Sequence, residues 1–283
     1  MNAIIEAEDV KTRVQELPPL PQVMREIVEA LNDDNLSLDV IARRIAVDPA
    51  LVAKILRVAN SAFYGVSGSV GGVGDAVRLI GLRTVGIIVS AAGILQTIPP
   101  PSCAAFDFKR FWAHSIAVAI CSQELASACG CSTTVAFAAG LLHDIGQLAL
   151  ATHYPLELTA ATHLARDRDC LRYEAEKDIL GFDHGEVGAW LAAHWRLTDS
   201  VCEAIRRHHD PGGEDCAAPA TLTDIVHAAD GIVHALDLLR LPHEQVPRLQ
   251  LCAWQRLPLG PESFLRVFQR TVHSFDAMCR ALL

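Results

Sequence analysis

The sequence lacks most of the short signals that name a chemistry by themselves. Its nine cysteines form no Cys-x-x-Cys pair, and Cys129-Gly-Cys131 is too tightly spaced for a usual metal pair. That sets aside zinc-ribbon and thioredoxin-type sites. The cysteines are expected to serve mostly as small buried apolar residues in a reducing cytosol. A basic surplus is also missing. The net charge is −9, and the two Arg-Arg pairs, Arg43-Arg44 and Arg206-Arg207, stand apart. A protein that grips nucleic-acid phosphates is therefore not expected. No basic-then-apolar leader opens the chain, because Met1-Asn-Ala-Ile-Ile-Glu-Ala-Glu8 turns acidic at once. The longest tempting apolar run, Val85 to Leu95, is too short to cross a bilayer and is closed by Gln96 and Pro99-Pro100-Pro101. It predicts a core helix in a soluble, cytoplasmic protein. The glycine-rich stretch Gly65 to Gly74 has neither a Lys-Ser/Thr after it nor a strand before it, so it is a loop rather than a phosphate cradle. Aromatic residues make up only 6% of the chain, and runs that alternate apolar with polar residues are missing, which leaves little from which to build a sheet.

What the sequence has is helical periodicity on a chain that is 51% hydrophobic, enough to bury a large core. Pro18-Pro19-Leu20-Pro21 ends a short leader, and Val23, Ile27, Val28 and Leu31 mark one face of a helix over Gln22 to Leu31. Ser37 caps a second helix, Leu38 to Val47. Asp48-Pro49 starts a third, since an aspartate accepts from open helix amides and proline tolerates the first turn. Its buried stripe is Leu51, Val52, Ile55, Leu56, Val58 and Ala59. Helices over 75–79 and 82–95 follow. The proline-rich segment from Ile98 to Phe106 is the candidate boundary, giving an N-terminal helical part, residues 1–105, and a second helical domain, residues 106–283. The latter contains predicted helices over 111–128, 134–153, 154–167, 171–180, 184–194, 198–208, 222–238 and 261–283. The fold class is all-α, an N-terminal helical subdomain packed on a helical bundle.

Twelve histidines are many for such a chain, and several sit in apolar surroundings. His143-Asp144 lies within Ala138-Ala-Gly-Leu-Leu-His-Asp-Ile-Gly146, where an ionised aspartate is costly unless a cation or a partner meets it. An imidazole and a carboxylate there suit an intermediate divalent ion such as Fe, Mn or Zn; a hydrogen-bonded polar knot in the core is the competing explanation. His208-His209 closes an amphipathic helix. His227 and Asp230 share a helical face at i,i+3. His184 opens a helix, and His114 sits in Phe111-Trp-Ala-His-Ser115.

The ordered series His114, His143-Asp144, His184, His208-His209 and Asp230 resembles the HD superfamily of metal-dependent phosphohydrolases. The resemblance implies one metal held by His114, His143, Asp144 and Asp230, with Asp144 bridging to a second held by His184, His208 and His209. Such a pair activates water and clamps a phosphodiester oxygen. Three positions depart from the dinuclear HD-GYP branch. Arg110 stands where a glutamate usually precedes the first histidine by one turn; Gln147 replaces a lysine; Asp210-Pro-Gly-Gly213 stands in place of Gly-Tyr-Pro. Arg110 is expected to reach Asp144 or Asp230 and mimic part of a cation's role.

These departures, with Leu17-Pro-Pro-Leu-Pro21, the segment Asp48 to Gly65, Ala76-Val-Arg-Leu-Ile-Gly-Leu82, Asp183-His-Gly-Glu-Val-Gly188 and His227-Ala-Ala-Asp230, are similar to the HDOD family over residues 17–239. That resemblance implies a regulatory or output module of bacterial signalling that acts through a partner or ligand, with a sensor kinase or response regulator as the kind of partner. No receiver domain is recognisable, so the input would come from a separate protein or a region outside this chain. The alternative is a metal-dependent phosphohydrolase acting on a nucleotide or cyclic dinucleotide.

Overall fold

The computed structural model describes residues 5–19, 49–60, 70–81, 85, 88, 92, 99–239 and 245–283. The helices expected over 22–31 and 38–47 lie outside them, as does most of the one over 82–95. No strand occurs among the described residues, and the class is all-α. By contact the chain divides into two discontinuous units, Met1–Pro18 with Pro100–Phe268 and Pro19–Pro99 with Gln269–Leu283. The sequence pattern had instead been cut once, between 105 and 106.

In the second of these units, α2 (Pro49–Ala59) packs on α3 (Val73–Ile80). Of the expected stripe, Leu51, Ile55, Val58 and Ala59 are buried, while Val52 and Leu56 are partly exposed. Val85, Ile88 and Ala92 are helical and wholly buried, as an apolar core helix requires.

The other unit carries the histidines. Its leader is not a plain lead-in: α1 (Ala7–Val14) buries Val10 and Val14 and packs on α6 (Ile145–His153) and α9 (His184–His194). Trp195 Nε1 donates to Pro18 O at 3.1 Å and holds the end of that segment. The central hairpin is α4 (Phe108–Cys129) against α5 (Thr133–Leu142). Asp107 caps α4 by accepting from the Arg110 amide, and Gly130 ends it in the left-handed region at φ 72°. The two helices touch closely because Gly140 faces α4; a Cβ there would lie 2.9 Å from Ala119 Cα.

The helix expected over 134–153 is broken. It stops at Leu142 and resumes at Ile145, with Asp144 at φ −97° and ψ 7°. The break re-aims two neighbouring side chains that an unbroken helix would splay about 100° apart. An 18-residue apolar window within Thr133–His153, of mean hydropathy 1.3, is 83% buried, and its apolarity is that of a core.

Next come α7 (Pro155–Arg168), α8 (Arg172–Leu180), α9, α10 (Asp199–Arg207), α11 (Leu222–Ala235), α12 (Leu251–Arg256) and α13 (Pro261–Leu282), the last running from one unit into the other. α9 crosses α6 at very short range. A Cβ on Gly146 would meet the His184 carbonyl oxygen, so only glycine permits the approach that sets Asp144 beside His184.

The short α12 has no counterpart in the sequence pattern. Arg256, in its last turn, donates to the carbonyls of Gly212, Gly213 and Asp215 and pairs with the wholly buried Asp224. It thereby fastens the loop that follows His209. On that loop Cys216 is disulfide-bonded to Cys252 of α12. The expectation of cysteines as buried thiols therefore fails at this pair, because the Arg256 bonds bring the two segments together. Of the other cysteines only Cys103 and Cys121 are buried.

Candidate metal centre

Four helices and the break between two others converge on one point. α4 contributes His114; the α5–α6 break contributes His143 and Asp144; His184 opens α9; His208 and His209 close α10; Asp230 lies in α11. All seven expected residues are brought together, and all but His209, which is partly covered, are buried.

Asp144 is the hub, and its two oxygens face different ways. Oδ1 lies 3.1 Å from His184 Nε2 and 3.6 Å from His208 Nε2. Oδ2 lies 3.5 Å from His143 Nε2 and 3.8 Å from His114 Nε2. Asp230 Oδ1 closes the second group, 3.1 Å from His114 Nε2 and 3.7 Å from His143 Nε2. Asp144 is thus shared between one set with His184, His208 and His209 and another with His114 and His143, the ligand atoms in each set within 4.8 Å of one another.

The outer nitrogens of these rings show what the inner ones can do. His143 Nδ1 donates to Gly140 O at 2.8 Å, and His208 Nδ1 to Ile205 O at 2.8 Å. A carbonyl can only accept, so the proton sits on Nδ1 and Nε2 presents a lone pair. Both of these Nε2 atoms are buried without a hydrogen-bond partner. Unmet lone pairs in a protein interior are costly, and a divalent ion at the centre would satisfy them together. His209 Nε2 and His184 Nε2 share a hydrogen bond at 2.8 Å, with the rings nearly perpendicular, and an ion taking both nitrogens would replace it. The residues present therefore fit a metal.

Electrostatics agree. Burial holds the His143 and His209 imidazoles below the usual histidine range and brings His208 down to about 4, with His143 adding to the effect on His208. They stay neutral, as ligands must. Burial pushes Asp144 and Asp230 up, but surrounding histidines outweigh it and hold both carboxyls well below the usual range. His184 runs the other way: burial lowers it, yet Glu176 and Asp144 together raise it well above the ordinary value.

Three contributors have no place in the expected ligand series. Glu176 of α8, with no exposed surface, takes the His184 Nδ1 proton at 2.6 Å and also accepts from its backbone amide. This is the carboxylate–histidine arrangement that orients ligands in metal sites. His234 lies one turn after Asp230. Tyr173 stacks on His209 with ring centroids 4.2 Å apart. His227, by contrast, is structural: its Nδ1 donates to His208 O at 2.6 Å and its Nε2 accepts the Gln250 amide.

One expectation about the departures from the HD-GYP pattern needs correction. Arg110 does not pair with Asp144 or Asp230. Its Nε lies 3.2 Å from Asp107 at the exposed start of α4, because the N-cap carboxylate is nearer and needs no desolvation of the guanidinium. Gln147 Oε1 accepts from Arg172 Nη1 at 2.8 Å. A cavity of about 750 Å³ opens onto the centre, reaching His114, Asp144, His184, His209 and Asp230 and lined on its outer side by Arg110, Arg166, Arg172, Gln147 and Tyr173.

A curated relative from Treponema pallidum (strain Nichols), an uncharacterized protein, is 28% identical over 278 residues. The match takes in 96% of this chain and 52% of that protein, so the chain spans about half its relative's length. A solved structure from Shewanella amazonensis, provisionally named a phosphohydrolase, superposes with a TM-score of 0.75 at 27% identity over 97% of this chain and 98% of that one. An HDOD domain protein of unknown function from Geobacter sulfurreducens shares the fold, with a TM-score of 0.78 at 24% identity over 98% and 100% of the two chains. The HDOD domain model matches residues 17–211, which takes in every residue of the centre except those of α11. The chain belongs to the HDOD family.

Proposed function

We propose that this protein is a bacterial-type signal-transduction module whose His/Asp centre holds one or two divalent ions (Fe, Mn or Zn) and which acts by binding a phosphorylated ligand or a partner rather than by turnover. The observation that carries the metal part is the split Asp144 carboxylate, with His143 Nε2 3.5 Å from one of its oxygens and His208 Nε2 3.6 Å from the other. The cavity arginines favour an anionic ligand: Arg172 and Arg166 line it, and among the described residues neither is paired with a carboxylate. The reading of binding without turnover rests on positions 110 and 147. A cationic Arg110, engaged at the cavity rim by Asp107, replaces a ligand, and a neutral Gln147 replaces a lysine that would stabilise a developing oxyanion. The proposed setting is the cytoplasm, with a sensor kinase or response regulator as partner and no role for membrane or nucleic acid.

A second reading, a metal-dependent phosphohydrolase, is favoured by the shared Asp144 and by the provisional name of the Shewanella protein. One assay separates the two. Protein loaded in turn with Mn, Fe and Zn is offered cyclic dinucleotides, nucleotides and simple phosphodiesters, with Asp144→Ala alongside. Metal-dependent binding without product is expected; hydrolysis that vanishes in Asp144→Ala would establish the enzyme instead.

A further inference from the structure

We propose that His234 is a further ligand of the metal held by His114 and Asp230, supplying from α11 the donor that position 110 does not provide; this rests on the metal reading of the centre. Asp230 and His234 are four residues apart on one helix and share a face. His234 Nε2 lies 3.4 Å from Asp230 Oδ1, and the His234 ring is 4.7 Å from that of His114. The donor atoms of all three lie within 4.8 Å of one another.

Three donor atoms crowd one buried point: Asp230 Oδ1 has His114 Nε2 at 3.1 Å and His234 Nε2 at 3.4 Å. A divalent ion between them would take the place of these imidazole–carboxylate contacts and bind all three donors at once. Position 110 explains the need. One turn before His114 the chain offers a guanidinium, drawn off to Asp107. His234, with 23% of its side chain exposed, stands on the cavity wall and closes the centre from the solvent side.

The consequence concerns which metal is held. The triad His114, Asp230 and His234 shares His114 with the triad His114, His143 and Asp144, and an ion taking donors from both would have three nitrogens and two oxygens around it. Five protein donors suit Mn or Fe(II) better than Zn, which settles most often at four ligands. His234 thus biases the site away from zinc.

The test is Mn(II) binding by equilibrium dialysis to the chelator-stripped full chain, with His143→Ala, His234→Ala, His234→Glu and the surface control His163→Ala. Wild type and His163→Ala should bind alike, while His143→Ala and His234→Ala should each lose affinity by tenfold or more. His234→Glu, which restores a donor, should recover binding to within severalfold and shift the visible absorption of the Co(II)-loaded protein. If wild type takes up no Mn(II), or His143→Ala binds as well as wild type, the metal reading itself fails. If His143→Ala weakens binding and His234→Ala does not, the metal reading stands and the role of His234 is overturned. Loss in His234→Ala of an ion that His143→Ala retains also overturns it, since His234 would then serve a site separate from that of His143. Because His234→Ala could fail to fold, the absorption shift in a folded His234→Glu protein decides independently, and an unshifted spectrum counts against the proposal.

Discussion

Glu176 holds its Oε2 2.6 Å from the Nδ1 of His184 with no part of its own side chain exposed. A buried carboxylate is tolerated only when charge or hydrogen bonds meet it, and here it fixes both the tautomer and the direction of an imidazole whose Nε2 faces Asp144. Glu176→Gln keeps the shape and removes the charge. The expected result is a fall of about 10- to 100-fold in metal affinity, with the helical circular dichroism retained. Unchanged affinity by competitive chelator titration would show Glu176 to be packing alone.

The pairing of Gln147 with Arg172 leads to a second expectation. The positive charge absent at 147 is present one helix away, held at 2.8 Å by the glutamine oxygen and facing the cavity. A charge-assisted contact to a phosphoryl oxygen is worth about 1.5–3 kcal/mol. Arg172→Ala should therefore weaken binding of a nucleotide or cyclic dinucleotide by roughly 10- to 100-fold by calorimetry, and Gln147→Ala by less. Equal binding in wild type and Arg172→Ala would remove the cavity's outer side from ligand recognition.

How much of this was legible beforehand divides along a physical line. The seven candidate ligand positions were readable because each is an imidazole or carboxylate that an apolar context makes conspicuous, and because their order along the chain resembles a known pattern. Glu176 was hidden in Arg172-Tyr-Glu-Ala-Glu-Lys177, a charged string typical of a solvated helix face; only the close approach of α8 to α9 buries it. His234 carried a usable signal, its i,i+4 spacing from Asp230, which was passed over in favour of the i,i+3 histidine His227. Sequence spacing places both on Asp230's side of the helix, and only the fold shows that His227 is consumed by His208 O and the Gln250 amide. The helix break at His143-Asp144 was invisible because Ala138 to Gly146 has helical periodicity throughout; the break follows from contacts with α4 and α9, not from local preference. Helix α12 was missed because its six residues are too few for periodicity to show.

The shifted histidines fix the sign of the pH dependence of the metal-free protein. His143, His208 and His209 are held below their ordinary value of about 6.5, so the folded state binds protons later than the unfolded chain as pH falls. Their contribution is complete above that value and is lost on the way down, for His208 toward pH 4. His184 is raised; its contribution is present at low pH and lost as pH rises through its folded value. Three depressed groups outnumber one raised group, so the melting temperature of the stripped protein should fall between about pH 6.5 and 4. His208 alone accounts for roughly 3 kcal/mol at about 1.4 kcal/mol per pH unit. Added Mn(II) should raise the melting temperature at pH 7, and that gain should shrink over the same interval as protons compete for the ligands. A melting temperature flat across this range would contradict the neutral, buried state of these imidazoles.

The Cys216–Cys252 bond gives the last expectation, because it lies on a route to the centre. It closes a loop spanning 36 residues, and chain-entropy reasoning places the associated stabilisation at up to about 4 kcal/mol. The loop it restrains begins at His209, and the helix it restrains begins one residue after Gln250, whose amide is bonded to His227, whose other nitrogen is bonded to His208 O. Gln250 also donates to Asp210 Oδ1 at 2.9 Å. Reduction should therefore lower the melting temperature by several degrees and also weaken metal binding by a few-fold, since the His208-His209 ligands lose part of their support. Cys216→Ser with Cys252→Ser should reproduce both effects in non-reducing buffer and abolish any further response to dithiothreitol. A lower melting temperature with unchanged Mn(II) affinity would confine the disulfide to stability and break the proposed route at Gln250–His227.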